Sequence, residues 1–136
     1  MRLLCFQVHR FRWKTCATSL TGTEFAPEER ELKDAVVAFV HSEERDEDDA
    51  AALQRKAAKH LKWMARKGEL ERFVLHSFTN LGAEGGTPDF ARGWIDDLAE
   101  RLRGNGFEVA TTPFGHQCEW DLCVRGESMA KVWKEL

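Results

Sequence analysis

The chain has 136 residues, about the length of one domain, which leaves no room for a multidomain enzyme with separate cofactor- and ATP-binding modules. Hydrophobic residues make up 43%, enough for a core, and 20 Lys and Arg against 23 Asp and Glu give a net charge of −3. No run approaches the roughly 20 apolar residues of a membrane span, and the N-terminal apolar run is too short for a signal peptide. We therefore expect one domain over residues 1–136, soluble and cytoplasmic, without a membrane partner.

The four cysteines do not form a recognisable metal or disulfide pattern. Cys5, Cys16, Cys118 and Cys123 contain no C-x-x-C pair, which is the spacing typical of structural zinc sites. Without a secretion signal, a disulfide framework is not expected either. We predict reduced thiols and no structural zinc site.

The first 41 residues predict three strands and a loop. Residues 3–8 are an apolar run typical of a buried strand, and residues 11–16 alternate apolar and polar side chains. Residues 17–31 contain Thr, Ser, Gly and Pro without a clear period and predict a loop. Residues 35–41 (AVVAFVH) are apolar on both faces, as in a central strand.

A helix with two different faces is predicted over residues 50–67. Its apolar side chains recur at three- and four-residue intervals, and the acidic run at 43–49 before it complements the helix dipole. The other face carries basic residues and no acid: Arg55, Lys56, Lys59, Lys62, Arg66 and Lys67. Such a face is either simply solvated or in contact with phosphate groups, and the sequence leaves both open.

The second half of the chain adds a second helix between strands. Thr87 and Pro88 form a good helix start, and Gly104 ends an apolar stripe of helical spacing. The other predicted elements are strands at 73–76, 107–112 and 120–124 and a short helix from residue 127. Together they predict an α/β (α+β) domain with a mixed β-sheet, two main helices packed on it and a short C-terminal helix.

Two polar segments lie where predicted strands end. Residues 76–81 (HSFTNL) run into a glycine-rich loop, and residues 112–120 (TPFGHQCEW) connect two strands. Polar groups at strand ends beside a flexible turn are the usual place for a site in an α/β domain. We therefore predict a pocket formed by these two segments.

The order of elements, the chain length and the turn Pro113-Phe114-Gly115 resemble one family. The chain is similar over essentially its whole length to the N-terminal editing domain of archaeal-type threonyl-tRNA synthetase, which shares its fold with D-aminoacyl-tRNA deacylase. The resemblance implies hydrolysis of a mischarged aminoacyl-tRNA, typically seryl-tRNA(Thr), without metal or cofactor. It also implies a cleft for the terminal adenosine, with the tRNA 2′-hydroxyl helping to activate the attacking water. Contact with that hydroxyl distinguishes RNA from DNA.

The family's functional residues map onto different side chains here. The family's histidine corresponds to Asn80, two aromatics and a lysine correspond to His116, Gln117 and Cys118, and a glutamate falls near Lys131. The resemblance thus makes Asn80, His116, Cys118 and Lys131 the candidate catalytic residues. The candidate substrate-binding residues are His76, Ser77, Phe78, Thr79, Phe114, Gly115, Gln117 and Glu119.

Three accounts of these changes remain open. In the first, the cleft still cleaves aminoacyl esters, with Asn80 as a hydrogen-bonding group and Cys118 supplying a thiolate or base beside His116 and Glu119. In the second, the domain binds tRNA or a nucleotide without catalysis. In the third, His76, His116, Cys118 and Glu119 bind a metal.

We rank ester hydrolysis first and inactive binding second. A further alternative is a D-aminoacyl-tRNA deacylase, because Ser77-Phe78-Thr79 is locally similar to a segment of that family. We expect a freestanding trans-editing hydrolase whose partner is the aminoacylated 3′ end of tRNA. It would form a homodimer and act beside a separate threonyl-tRNA synthetase.

Overall fold

A six-stranded mixed sheet forms the centre of the computed structural model, which describes residues 1–136. The strands follow the order β4–β3–β2–β1–β5, and β6 also pairs with β1. Pairing is antiparallel between β1 and each of β2, β5 and β6, and parallel in the pairs β2–β3 and β3–β4. The strands are β1 (Arg2–Thr18), β2 (Glu29–His41), β3 (Arg72–Ser77), β4 (Glu108–Thr111), β5 (His116–Val124) and β6 (Lys131–Glu135).

The two strands predicted at the N-terminus are one continuous strand, β1. Its register with β5 shifts between Val8 and Arg10 and again between Thr15 and Ala17. A β-bulge of this kind adds a residue and bends the strand without ending the pairing. The intervening polar residues therefore mark a bend, and the predicted loop shrinks to the residues between β1 and β2.

Two helices cover one face of the sheet. Helix α1 (Ala50–Gly68) connects β2 to β3, and helix α2 (Pro88–Gly104) connects β3 to β4. The side chain of Thr87 accepts a hydrogen bond from the main-chain N–H of Phe90 and so caps the predicted start of α2. Their apolar stripes pack on the sheet in a core of 21 buried residues. Neither helix is long and apolar enough to cross a membrane.

The expected C-terminal helix is wrong. A short 3₁₀ turn, Ser128–Ala130, leads into β6, whose residues pair with Arg2–Phe6 of β1. The spacing of Val132, Trp133 and Leu136 is compatible with either structure. As a strand, residues 131–135 pair their main-chain groups with the otherwise open edge of β1. A short helix would leave that edge of β1 unpaired, so the segment forms an edge strand.

The other face of the sheet has no helix over it. A second apolar cluster of nine buried residues lies there, including Phe11, Trp13 and Phe39. Leu4 and Phe6 on this face are half-buried, and Trp133, opposite Leu4, is 54% exposed. One face of the sheet is therefore covered by helices and the other is not. A cleft lies at the edge where the two faces meet.

Candidate functional site

A cleft of about 390 Å³ lies at the carboxyl ends of β2 and β3, bounded by the β4–β5 turn and the start of α2. Volumes of this order are typical of small-ligand sites. The two predicted polar segments meet there because β3 and β4 are parallel neighbours. Ten of the twelve candidate residues line the cleft: His76, Ser77, Phe78, Thr79, Asn80, Phe114, Gly115, His116, Gln117 and Cys118.

The two remaining candidates lie outside this cleft. Glu119 projects away from it and places Oε1 3.5 Å from the Nη2 of Arg12. Lys131 lies on β6 opposite Phe6, on the uncovered face of the sheet. The four residues of the metal alternative are therefore not brought together, and no cluster of three or more His, Cys, Asp and Glu side chains is placed to hold a metal ion.

Other lining residues come from parts of the chain that the sequence did not single out. Ser19 and Leu20 follow β1, Ser42 follows β2, and Ala91 belongs to α2. No local signal identifies them, because only the fold brings these segments to the cleft. Trp120 is different, since two-residue alternation along β5 places it on the face of Cys118.

His76 is an uncharged, fixed wall of the cleft. Its Nδ1 lies 2.7 Å from Oγ1 of Thr112, which leaves Nε2 as the ring nitrogen without a protein partner. Its ring makes edge contacts with Phe39 and Trp120, with centroids 5.3 and 5.1 Å away. Burial lowers the pKa of His76 from 6.5 to about 4. The imidazole is therefore neutral at physiological pH.

His116 is occupied by the loop that joins β1 to β2. Its Nε2 accepts a hydrogen bond of 3.0 Å from the main-chain N–H of Ala26, so Nδ1 carries the proton and donates to the carbonyl of Phe114 at 3.0 Å. Phe25 packs against the ring at a centroid distance of 5.7 Å. Both nitrogens are engaged, and this geometry makes His116 a positioning residue.

Cys118 is held as a thiol. Burial raises its pKa, and the neighbouring Cys16 and Glu28 raise it further because they oppose a negative charge there. The thiolate, rather than the thiol, is the nucleophilic form of cysteine. Asn80, by contrast, is exposed at the cleft and makes no side-chain hydrogen bond within the protein. Its amide is available to a ligand.

The turn at Gly115 depends on glycine. Gly115 has a φ of 74°, in the left-handed region that residues with a Cβ rarely adopt. Its carbonyl accepts a hydrogen bond of 2.7 Å from the N–H of Ser19. A Cβ here would lie 3.2 Å from both Leu20 and Thr23, so the turn and the loop after β1 fit closely. This contact closes one end of the cleft.

None of the 21 residues that line the cleft is Lys, Arg, Asp or Glu. The groups available to a ligand are hydroxyls, amides, one free imidazole nitrogen, main-chain groups and aromatic rings. Such a lining can bind a neutral group and orient a water molecule by hydrogen bonds. It contains no carboxylate or ammonium group.

A family model described as the archaea-specific editing domain of threonyl-tRNA synthetase matches residues 1–136. Curated relatives include the threonine–tRNA ligase of Thermococcus kodakarensis, 26% identical over 135 residues, which cover 97% of this chain and 22% of the relative. The ligase of Methanothrix thermoacetophila is 30% identical over 120 residues, or 84% of this chain and 19% of that one. The chain thus spans about a fifth of the length of these relatives.

A solved structure with a similar fold is that of the c-Myc DNA Unwinding Element Binding Protein. The two chains match with a TM-score of 0.67 and 12% identity, over 100% of this chain and 99% of the other. This likeness is one of fold, and it confirms the D-aminoacyl-tRNA deacylase-like architecture predicted from the sequence. The family match confirms the resemblance first indicated by the Pro-Phe-Gly turn.

Proposed function

Because the chain belongs to the archaea-specific editing-domain family of threonyl-tRNA synthetase, we propose that it hydrolyses the ester of a mischarged aminoacyl-tRNA of the seryl-tRNA(Thr) type, acting in trans. The observation that carries this proposal is the cleft, in which residues 76–80 and 112–118 meet around a volume of about 390 Å³. A volume of that order accommodates a nucleoside that carries a small aminoacyl group.

The proposed reaction uses water and hydrogen bonds rather than a charged base. Water attacks the carbonyl carbon of the ester, the acyl–oxygen bond breaks, and the ribose oxygen leaves with a proton. Nε2 of the neutral His76 and the amide of Asn80 are suited to orienting that water or the carbonyl. The family resemblance assigns activation of the water in part to the 2′-hydroxyl of the substrate. The uncharged lining of the cleft supports this assignment.

The other candidate catalytic residues receive modified roles in the proposal. The raised pKa of Cys118 favours a hydrogen-bonding thiol over a nucleophilic thiolate. His116 positions the loop that closes the cleft, since both of its nitrogens are engaged. Lys131 lies outside the cleft of its own chain and has no role in the proposed step.

The proposed assembly is a homodimer that acts in the cytoplasm beside a separate threonyl-tRNA synthetase. The uncovered sheet face supports dimerisation, because Leu4 and Phe6 are only half-buried and Trp133 is 54% exposed. An apolar sheet face of this kind is normally buried against another layer. A second copy seated there would also cover Lys131.

A second candidate function is binding of the tRNA 3′ end without catalysis. The lowered pKa of His76 favours it, because an imidazole with a pKa of about 4 is a weak general base at neutral pH. Hydrolysis of D-aminoacyl-tRNA is an alternative reaction for the same cleft, and it must be tested as well.

The deciding experiment is incubation with seryl-tRNA(Thr), threonyl-tRNA(Thr) and a panel of D-aminoacyl-tRNAs. We expect faster release of serine from seryl-tRNA(Thr) than in buffer, with threonyl-tRNA(Thr) spared. Release only from the D-aminoacyl substrates would assign the deacylase reaction instead. No release from any substrate would remove the enzyme proposal and leave the binding one.

A further inference from the structure

The exposed face of helix α1 carries six cations that form no ion pair: Arg55, Lys56, Lys59, Lys62, Arg66 and Lys67. Only Lys62 has a side-chain partner, with its Nζ 3.2 Å from Oδ1 of Asn105. The side-chain cations in the ion pairs of this structure are Arg2, Arg10, Arg12, Arg45, Arg72 and Arg125. The positive charge of α1 is therefore not neutralised within the protein.

An aromatic ring lies among these cations. Lys56, Lys59, Trp63 and Lys67 follow one another at intervals of three and four residues, and so form a stripe about 16 Å long on the helix surface. Trp63 is 40% exposed, and its ring stacks on that of His60 at 5.9 Å and 24°. Lysines that contact phosphates, together with an aromatic ring that stacks on a base, are the usual elements of a nucleic-acid surface.

The packing of α1 favours RNA over a membrane as the partner. A helix that binds a lipid surface must insert its apolar face. In α1 that face, which includes Leu61 and Met64, is fully buried against the sheet. An exposed cationic stripe with a single aromatic ring suits phosphates and bases instead.

The position of α1 relates it to the cleft. The helix follows β2, whose end contributes Ser42 to the cleft lining, and runs back along the sheet towards the start of β3. The start of α1 therefore lies at the same end of the sheet as the cleft, and the stripe lies further along the helix. The acidic turn Glu44–Asp49 lies at the N-terminal end of α1 and repels phosphate. The contact is thus confined to the stripe further along the helix.

We propose that the stripe formed by Lys56, Lys59, Trp63 and Lys67 binds the sugar-phosphate backbone of the tRNA whose 3′ end occupies the cleft. The identity of the RNA rests on the proposed function, whereas the surface itself rests on the unpaired cations and the exposed ring. The stripe would supply affinity for the tRNA body, remote from the ester.

The test measures binding of uncharged tRNA by fluorescence anisotropy over a range of salt concentrations. We expect the double variant Lys59→Gln/Lys67→Gln to weaken binding about 10-fold or more at low salt. It should also reduce the slope of log K against log salt by about 1 to 2. Trp63→Ala should weaken binding about 5-fold or more, as loss of one stacked base does. Glutamine is a good helix former, so the helix is retained.

The matched control is Lys14→Gln/Lys33→Gln, because both lysines are exposed, unpaired and far from α1 in the chain. It should bind tRNA as the unchanged protein does. If both double variants weaken tRNA binding equally, the effect is due to overall charge, and the proposal that the stripe binds tRNA is wrong. Binding to phosphatidylserine vesicles without affinity for tRNA would also overturn it and assign a membrane instead.

Hydrolysis of seryl-adenosine, an ester without phosphates, separates the stripe from the cleft. Lys59→Gln/Lys67→Gln should leave its rate unchanged. If no ester is hydrolysed but the variant still loses tRNA affinity, the stripe stands and the enzyme proposal falls. If esters are hydrolysed and the variant binds tRNA normally, the enzyme proposal stands and the stripe falls.

Discussion

The cleft and the exposed face of α1 have opposite electrostatic character. The cleft is lined by 21 residues, none of them charged, whereas the face of α1 presents six cations without ion-pair partners. A neutral cleft can hold an ester and a water molecule without a competing ion, and a cationic helix can attract a polyanion from a distance. In the proposed function the ester binds in the neutral cleft, and the body of the tRNA binds to the cationic face of α1.

The net charge of the chain does not describe this contrast. A total of −3 gives no indication of an anionic partner. The acids and the bases are separated, however, with Glu44–Asp49 at one end of α1 and the lysine stripe along it. Local distribution, rather than the sum, decides what a surface binds.

The largest expected effect is on stability at acid pH, where protonation of His76 places a positive charge in the cleft. His76 has a pKa of about 4 in the folded protein against 6.5 ordinarily. Between these pH values the unfolded chain takes up a proton that the folded chain does not. His76 alone should therefore lower the free energy of unfolding by about 3 kcal/mol as the pH drops from 7 to 4.

Urea unfolding at several pH values checks this, with His76→Phe as the test variant. Phenylalanine preserves the ring contacts with Phe39 and Trp120 but cannot titrate. Its stability should depend less on pH than that of the unchanged protein. An identical slope for His76→Phe would contradict the prediction.

Two equally exposed tryptophans, one in the cleft and one on α1, allow the two surfaces to be tested independently. Trp120 is 41% and Trp63 40% exposed, but only Trp120 packs in the cleft, against Phe39 and His76 at 5.0 and 5.1 Å. Trp120→Ala should reduce stability by about 2 kcal/mol and slow hydrolysis of seryl-adenosine, because His76 loses a supporting wall. Trp63→Ala should spare that hydrolysis. Thermal unfolding and ester release would show both, and matching losses in the two variants would remove the distinction.

Two glycines with positive φ test the closed end of the cleft. Gly115→Ala and Gly106→Ala each place a Cβ on a left-handed residue, at a cost of about 1 kcal/mol. Only at Gly115 would the Cβ also meet Leu20 and Thr23, whereas Gly106 faces open space. We expect similar backbone strain in both and a lower rate of ester hydrolysis only for Gly115→Ala. A lower rate in Gly106→Ala would mean that strain alone causes the loss.

The smallest expected effect is at Cys118. Because its thiol is held protonated, Cys118→Ser should change the rate of ester hydrolysis by less than about threefold, whereas loss of a covalent nucleophile costs orders of magnitude. Asn80→Ala should lower the rate more, since the amide is free to contact the ligand. Cys123→Ser on the same strand is the control. A large loss in Cys118→Ser alone would restore the thiol mechanism.

The part of the candidate site that could be predicted from the sequence is the part that local sequence patterns indicate. Polar runs at two strand ends identified ten residues that the fold brings together. The sequence could not place Glu119 and Lys131, because their orientation depends on the register of β5 and β6 against β1. It also could not anticipate that His116 binds Ala26, a contact between residues 90 positions apart.

The amino-acid sequence by itself determined the helices, the central strands and the family, because helical periodicity, apolar runs and the Pro113-Phe114-Gly115 turn are local features. The tertiary structure alone decided that β1 is continuous, that the C-terminal segment is a strand, and that the cleft has no charged lining. The physical reason is the range of the interactions. Main-chain pairing with a distant strand outweighs local preference, and the electrostatics of a site depends on which segments surround it.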